Sequence, residues 1–393
     1  MTIKIVSSRA GQCRRKLFKI ITAWRCFLRA AAASRSIHFG RAVARSTRSF
    51  DIFLSKKPVI KKLTLIALLI LLIALAVGSI SWLRSPRQEE VSFYNGETVL
   101  AGTIYLPSSE GRHPAVIFIH GSGDDSREQY RFYANLLAKK GIAALIYDKR
   151  GVGASSGRWK FSPFGALADD ALAGVHFLKS HPAIDARRIG AWGGSEGAII
   201  APWIASRSSD VAFVIMQSAT GVTFAQQNRY QNERQLRAAT NSEENIAQGL
   251  AIIKLQSDYA RTGTGWQAYA NAKQAVREKA WASSLGATLP PDHWWWNWYR
   301  TKMDYDPIPM LEKVRVPVLA VWGENDVLVP VSESRVAIES AFARGGNRNV
   351  NCQVFAGADH SIQTGSRLRG YGPDPGYLAM LTEWVLKQTA VRR

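Results

Sequence analysis

Residues 188–204, RIGAWGGSEGAIIAPWI, contain a short apolar run, a glycine-rich turn and a second apolar run with helical character. This order predicts a strand, a sharp turn and a helix. The turn carries Ser195 between Gly193 and Gly197, and glycines at these two positions let the strand and the helix pass close together. A serine hydroxyl is a weak nucleophile, so an enzyme that uses one must hold it on such a turn, open to a base. Ser195 is therefore the predicted nucleophile, and the alternative is a purely structural turn.

The same G-x-S-x-G pattern occurs a second time, at residues 153–157, GASSG. This copy follows the loop residues 149–151 and leads into residues 158–160, RWK, with Pro163 close behind. No predicted strand directly precedes it and no predicted helix directly follows it. Context therefore favours Ser195 as the nucleophile.

Apolar strands and helical patterns alternate along most of the chain after residue 84. Short apolar runs typical of buried strands occur at residues 115–119, 142–147, 211–216 and 316–322, and residues 351–355 predict a further strand. Helical patterns lie between and after them, and this alternation indicates a parallel sheet. Before it, residues 91–106 predict a hairpin that turns at Asn95-Gly96, a dipeptide suited to positive φ.

The alternation stops between residues 222 and 312. This region holds polar helical stretches and the tract Trp294 to Tyr299, WWWNWY. It predicts a mostly helical insertion that caps the carboxyl edge of the sheet. Three interpretations of the tryptophan tract stay open: it lines an acyl pocket, it enters lipid, or it packs the core of the insertion.

The positive charge is concentrated at the start of the chain. The 393 residues carry a formal charge of +21, and residues 1–62 hold sixteen Lys and Arg against the single acid Asp51, a net of +15 that leaves +6 for the rest. Nucleic-acid binding by the main domain therefore has little electrostatic support. The tail itself is interpreted either as a helix on an anionic lipid surface or as a solvated basic arm.

Residues 63–83 are twenty-one residues without a charge. As a helix they would be about 31 Å long, which matches the hydrocarbon thickness of a bilayer. They predict an uncleaved transmembrane helix. Because the basic residues precede it, the positive-inside rule predicts a cytoplasmic tail at residues 1–62 and a catalytic domain in the periplasm or outside the cell.

Cysteine and histidine positions argue against a disulfide scaffold and a metal site. Cys352 is the single cysteine after the basic tail, so no disulfide can form within the main domain. The seven histidines show no paired spacing typical of zinc ligands, and we expect no metal.

From about residue 91 to residue 387 the chain resembles the α/β-hydrolases, and most closely their dienelactone-hydrolase-like and serine-aminopeptidase-like branches. Besides the turn at Ser195, the motifs that carry this resemblance are HGSG at residues 120–123 and YDKRGVGASSG at residues 147–157. The resemblance implies an α/β-hydrolase fold with a mostly parallel central sheet and helices on both faces. Its core would comprise residues 84–221 and 313–393, separated by the helical cap at residues 222–312.

The resemblance also implies the partners of Ser195. The family places an acid and then a histidine after the nucleophile, and these positions match Asp326 in the turn GEND and His360 in GADH. Glu324 lies in the same turn, but the G-x-x-D pattern favours Asp326. The backbone N–H groups of Ser122 and Glu196 would form the oxyanion hole.

These implications together predict a serine hydrolase that cleaves a carboxylic ester or thioester of a small acyl substrate through an acyl-serine intermediate, without a cofactor. A serine peptidase or an acyltransferase on the same fold is the alternative, since both use the same three residues. An inactive membrane-anchored binding module is a further alternative, against which the presence of all three residues argues. Two side chains near the site have plainer interpretations: His120 is structural, and Glu196 either touches substrate or complements the helix dipole.

Overall fold

The computed structural model describes residues 65–71, 73, 85–366 and 370–390. The predicted basic tail at residues 1–62 lies outside them, as does most of the predicted membrane span at residues 63–83. No helix within the described ranges is both long enough and apolar enough to cross a membrane. Residues 86–393 form a compact unit of their own.

A mixed sheet of eight strands is the centre of this unit. The strands are β1 (Arg87–Asn95), β2 (Thr98–Leu106), β3 (His113–Ile119), β4 (Ala143–Tyr147), β5 (Ile184–Gly194), β6 (Phe213–Gln217), β7 (Val318–Gly323) and β8 (Val350–Phe355). Across the sheet they lie in the order β1-β2-β4-β3-β5-β6-β7-β8. β2 runs antiparallel to both of its neighbours, and all other neighbouring pairs are parallel. The prediction of a mostly parallel central sheet is confirmed.

Helices cover both faces of the sheet. They are α1 (Arg131–Lys139), α2 (Phe164–Ser180), α3 (Gly197–Arg207), α4 (Phe224–Ala239), α5 (Glu243–Thr262), α6 (Trp266–Ala275), α7 (Trp294–Arg300), α8 (Ile308–Leu311), α9 (Val331–Arg344) and α10 (Pro375–Thr389). Side chains on β3 alternate between the faces, so that Ile117 packs in one core with α2, α3 and α9, and Phe118 packs in the other with α1 and α10. Burial on both faces explains why the central strands are continuous apolar runs.

The predicted hairpin forms at the start of the domain. β1 and β2 are antiparallel, and Asn95 pairs with Thr98 across a two-residue turn. Gly96 has a φ of 56°, the left-handed conformation that glycine adopts without steric cost. The Asn95 side chain also donates a 2.8 Å hydrogen bond to Asp170 on α2, so the turn is fastened to the helix beneath it.

Helices α4 to α8 lie between β6 and β7, in the region predicted as a helical insertion. Aromatic side chains of this insertion pack together, within the same hydrophobic core that covers one face of the sheet. Trp296 is 3% exposed, its ring lies edge-on to Tyr259 and Tyr269, and its indole N–H donates to the Pro290 carbonyl at 2.7 Å. Of the three interpretations of the tryptophan tract, core packing therefore describes Trp296. Trp294 is half-buried and faces Trp159 of the main domain, with ring centroids 5.9 Å apart.

The carboxyl ends of the parallel strands meet at one edge of the sheet. The loops that leave β3, β4, β5, β6 and β7 at this edge begin at residues 120, 148, 195, 218 and 324. Ligand sites of parallel α/β sheets occur at this edge. Four of these five loops carry a residue that the sequence singles out.

Candidate active site

Ser195 occupies the tight turn between β5 and α3, as the sequence predicts. Its φ is 54°, which is uncommon for a residue with a side chain and costs conformational energy. A Cβ on Gly193 would lie 1.8 Å from the Gly197 carbonyl oxygen, and one on Gly197 would lie 2.2 Å from the Ile119 carbonyl oxygen. Both glycines are thus required by close backbone contacts, and the Ser195 N–H is held by a 2.8 Å hydrogen bond to the Gln217 carbonyl.

Ser155, in the second copy of the pattern, has a structural role. Its side chain is buried, and its hydroxyl donates to the Asp148 carbonyl at 2.6 Å while accepting from the Ala101 N–H at 3.0 Å. These bonds tie the loop after β4 to β2. A hydroxyl with both functions engaged in the fold is not available as a nucleophile.

His360 and Asp326 are joined by a 2.7 Å hydrogen bond between Nδ1 and Oδ2. The Asp326 side chain has no exposed surface, and its other oxygen accepts from the N–H groups of Leu328 and Val329 at 2.8 and 3.0 Å. A carboxylate can only accept, so Nδ1 of His360 carries the proton and Nε2 is left as the basic nitrogen. Glu324, by contrast, accepts from the Gly357 N–H at 2.9 Å and is exposed.

The end of β6 connects Ser195 with His360. Gln217 accepts from Ser195, and the next residue, Ser218, donates its hydroxyl to the His360 carbonyl at 2.6 Å. Among the described residues no hydrogen bond joins the Ser195 hydroxyl to the His360 ring. Contacts of this kind commonly tighten only around bound substrate.

The two predicted oxyanion donors are the N–H groups of Ser122 and Glu196. Within the described part of the chain, neither N–H has a backbone or side-chain acceptor. The loop that carries Ser122 runs against the serine turn, because a Cβ on Gly121 would lie 3.4 Å from both the Gly194 carbonyl oxygen and the Ser195 Cβ. Unpaired donors beside a serine are what stabilisation of a developing oxyanion requires.

A buried ion-pair cluster adjoins these donors. Glu196 pairs with Lys149 at 2.8 Å and also with Lys302, and all three side chains are at most 4% exposed. Burial disfavours the Glu196 carboxylate, but the two lysines outweigh it and lower the pKa of this group. Burial lowers the pKa of Lys302, and Glu196 opposes that effect.

This cluster was not predicted from the sequence. The sequence predicts a substrate contact or a helix-dipole partner for Glu196, and the structure shows its carboxylate paired with two lysines. Lys149 stands in the YDKRGVGASSG motif, and Lys302 follows the tryptophan helix α7. The available signal was position, because β4 ends at the site and Lys149 follows closely after it. That position indicates that Lys149 lies near the site, but it does not show the buried partner.

The insertion reaches the same edge of the sheet. Lys302 contributes to the cluster from the segment after α7, and the Tyr230 hydroxyl on α4 donates to the Asp326 carbonyl at 3.4 Å. Trp298 lies over the Lys302 ammonium, with 5.0 Å between the ring centroid and Nζ. The insertion therefore contacts Glu196, next to Ser195, and also Asp326, the partner of His360.

His120 is a structural residue. Its Nε2 donates to the Tyr147 carbonyl, and its ring packs against Tyr130 and Tyr147. Burial lowers the pKa of His120 to about 4, so the ring is neutral at neutral pH. A ring nitrogen bonded to a strand carbonyl fixes the end of β3 and the start of the Ser122 loop.

Comparison with known families gives a match over most of the domain. The profile of the family described as "Serine aminopeptidase, S33" matches residues 111–366, about two thirds of the chain. The matched range includes all five residues predicted for the site.

Relatives with assigned names include esterases and thiohydrolases. Esterase EstD from Thermotoga maritima is 23% identical over 278 residues, which cover 68% of this chain and 58% of that protein. Thiohydrolase apmlB from Arthrinium phaeospermum is 29% identical over 153 residues, covering 38% of this chain and 49% of its own. The chain thus spans about half the length of these relatives.

Among solved structures, the α/β hydrolase GrgF from Penicillium sp. sh18 superimposes with a TM-score of 0.53. It is 18% identical and the match covers 78% of this chain and all of GrgF. At this identity the likeness shows the fold alone. The α/β-hydrolase fold implied by the sequence motifs is confirmed.

Proposed function

The chain belongs to the serine aminopeptidase S33 family of α/β-hydrolases, and from this we propose that it is a serine hydrolase acting on carboxylic esters or thioesters. The observation that carries the proposal is the arrangement at the sheet edge. Gln217 holds Ser195, a strained serine on a strand-to-helix turn. The next residue, Ser218, holds His360, a histidine bonded to a buried aspartate.

The proposed reaction begins with attack of the Ser195 hydroxyl oxygen on the acyl carbon, as His360 Nε2 takes the hydroxyl proton. Asp326 stabilises the imidazolium that forms. The carbonyl oxygen becomes negative and receives hydrogen bonds from the N–H groups of Ser122 and Glu196. His360 then protonates the leaving alcohol or thiol, and water, activated by the same ring, releases the acid from the acyl-serine.

Two observations favour an ester or thioester as substrate. EstD is named an esterase and apmlB a thiohydrolase, and both align with this chain. The family description names an aminopeptidase, which keeps amide hydrolysis as the second candidate. The same acyl-serine would serve an acyltransferase if an alcohol or amine replaced water in the second step.

A substrate panel tests the proposal on the purified full chain. We expect hydrolysis of p-nitrophenyl acyl esters and of an acyl thioester, with a rapid first release of nitrophenol where deacylation is slow, and little turnover of an aminoacyl p-nitroanilide. Preference for the anilide would assign the chain to the peptidases instead. No turnover of any substrate, together with no labelling by a fluorophosphonate probe, would favour the inactive binding module.

The proposal includes a membrane anchor at residues 63–83 with the catalytic domain across the membrane from the basic tail. Its support is the uncharged twenty-one-residue run and the net charge of +15 before it. We expect protease added to spheroplasts of an expressing bacterium to digest the domain and spare residues 1–62. Digestion of the tail with protection of the domain would reverse the orientation, and recovery of the intact chain in the supernatant after lysis would remove the anchor.

A further inference from the structure

Lys149 contacts both segments that supply the proposed oxyanion donors. Its buried ammonium donates to the Gly121 carbonyl oxygen and, at 2.8 Å, to the Glu196 carboxylate. Gly121 directly precedes Ser122, and Glu196 supplies the second donor itself. One side chain thus connects the loop after β3 with the turn after β5.

The bond to Gly121 fixes the direction of the Ser122 N–H. The Gly121 carbonyl and the Ser122 N–H belong to one peptide group, which is planar and trans, so the two bonds point in opposite directions. Holding the carbonyl therefore sets where the N–H points. Glycines on both sides of Ser122 make rotation of this peptide inexpensive, so its direction depends on the bonds that its carbonyl accepts.

The other bond to the Gly121 carbonyl is weaker. The Gly123 N–H approaches the same oxygen at 3.2 Å, across a short turn within the loop. Lys149 offers a charged donor from a separate strand end, and hydrogen bonds to charged groups contribute more than neutral ones. A donor at a peptide carbonyl also polarises that peptide and strengthens its N–H as a donor.

From this geometry we propose that Lys149 is a positioning residue of the oxyanion hole, which orients and polarises the Gly121–Ser122 peptide so that its N–H binds the developing negative oxygen. This inference rests on the proposed serine-hydrolase function. Lys149 contacts the far side of the peptide and not the reacting atoms.

Lys302 provides a matched control. It is buried, it pairs with the same Glu196 carboxylate, and it makes no bond to Gly121. Lys149→Met and Lys302→Met each leave one lysine with one glutamate. The two variants therefore remove the same charge from the cluster, and Lys149→Met also removes the bond to the oxyanion peptide.

The experiment measures hydrolysis of p-nitrophenyl butyrate and inhibition by trifluoromethyl propyl ketone in the full chain. Ser195 adds to the ketone carbon, its proton passes to His360, and the resulting hemiketal oxyanion occupies the oxyanion hole. Loss of a whole oxyanion donor typically lowers kcat by about 10²–10³-fold, so we expect Lys149→Met to lose part of that, roughly tenfold to a hundredfold, with KM little changed. The inhibition constant of the ketone should weaken by the same factor as kcat/KM falls, and Lys302→Met should lose clearly less in both.

Equal losses in the two variants would overturn the inference, since the cluster would then act through charge or packing alone. A loss confined to KM would overturn it as well. If Lys149→Met does not fold, Lys149→Gln and Lys302→Gln form a second matched pair; the glutamine amide at 149 keeps a neutral donor, and the same ranking with a smaller difference is expected.

The inference and the function on which it rests fail in different ways. A wild-type chain that neither hydrolyses the ester nor binds the ketone contradicts the proposed function. A wild-type chain that does both, with unchanged ketone affinity in Lys149→Met, contradicts the role of Lys149 alone.

Discussion

Ser195→Ala should abolish ester hydrolysis and labelling by a fluorophosphonate probe. Removing the nucleophile of a serine hydrolase typically lowers kcat by about 10⁶-fold, because the remaining groups cannot form the acyl-enzyme. Alanine keeps the Cβ and the N–H bond to Gln217, so the turn should retain its shape. Mass spectrometry of the labelled protein and the rate of p-nitrophenol release measure the two effects.

Ser155→Ala is the matched control, because it removes a hydroxyl from the same sequence pattern. The Ser155 hydroxyl makes two buried hydrogen bonds, each of which contributes about 1 kcal/mol to stability. We expect a lower melting temperature with labelling and turnover retained. Labelling that persists in Ser195→Ala and disappears in Ser155→Ala would move the nucleophile to the other copy.

Asp326→Asn should lower kcat by about 10⁴-fold while the protein stays folded. The N–H groups of Leu328 and Val329 point at one carboxylate oxygen and will hold the amide oxygen of asparagine there. The amide NH₂ then faces His360 Nδ1, which must accept instead of donate. The ring is left with its proton on Nε2, where the base is needed, and cannot take the Ser195 proton. Single-turnover acylation kinetics on folded variants measure the loss.

Glu324→Gln is the companion variant, since Glu324 was the competing acid in the same turn. Its carboxylate accepts from the exposed Gly357 N–H, which a glutamine oxygen can replace. We expect a change in kcat far smaller than that of Asp326→Asn. The opposite ranking would transfer the role to Glu324, and full activity of both variants would contradict the proposed mechanism as a whole.

The serine turn and the sheet could be predicted because they depend on local pattern. The steric demands on Gly193 and Gly197 and the apolar runs of the buried strands act over a few residues, so they are visible in the sequence. The choice between Asp326 and Glu324 needed a family pattern, because the sequence of the turn does not show which of the two carboxylates points toward His360.

The buried ion-pair cluster could not be predicted in the same way. Lys149 and Lys302 lie 47 and 106 residues from Glu196 along the chain, and nothing in the local pattern of either lysine shows a buried partner. Lysine is ordinarily a surface residue, so the residue type does not by itself predict burial. The tryptophan tract was ambiguous for a related reason, since apolar side chains suit a pocket, a bilayer and a core equally well.

At Ser195, stability and the proposed reaction favour different residues, because the backbone there is left-handed. Glycine adopts a φ of 54° without the steric cost that serine incurs, so relieving this strain would remove the proposed nucleophile. Selection for thermal resistance alone would not preserve the Ser195 hydroxyl, on which the proposed catalysis depends. Directed evolution of this protein therefore needs an activity screen in every round.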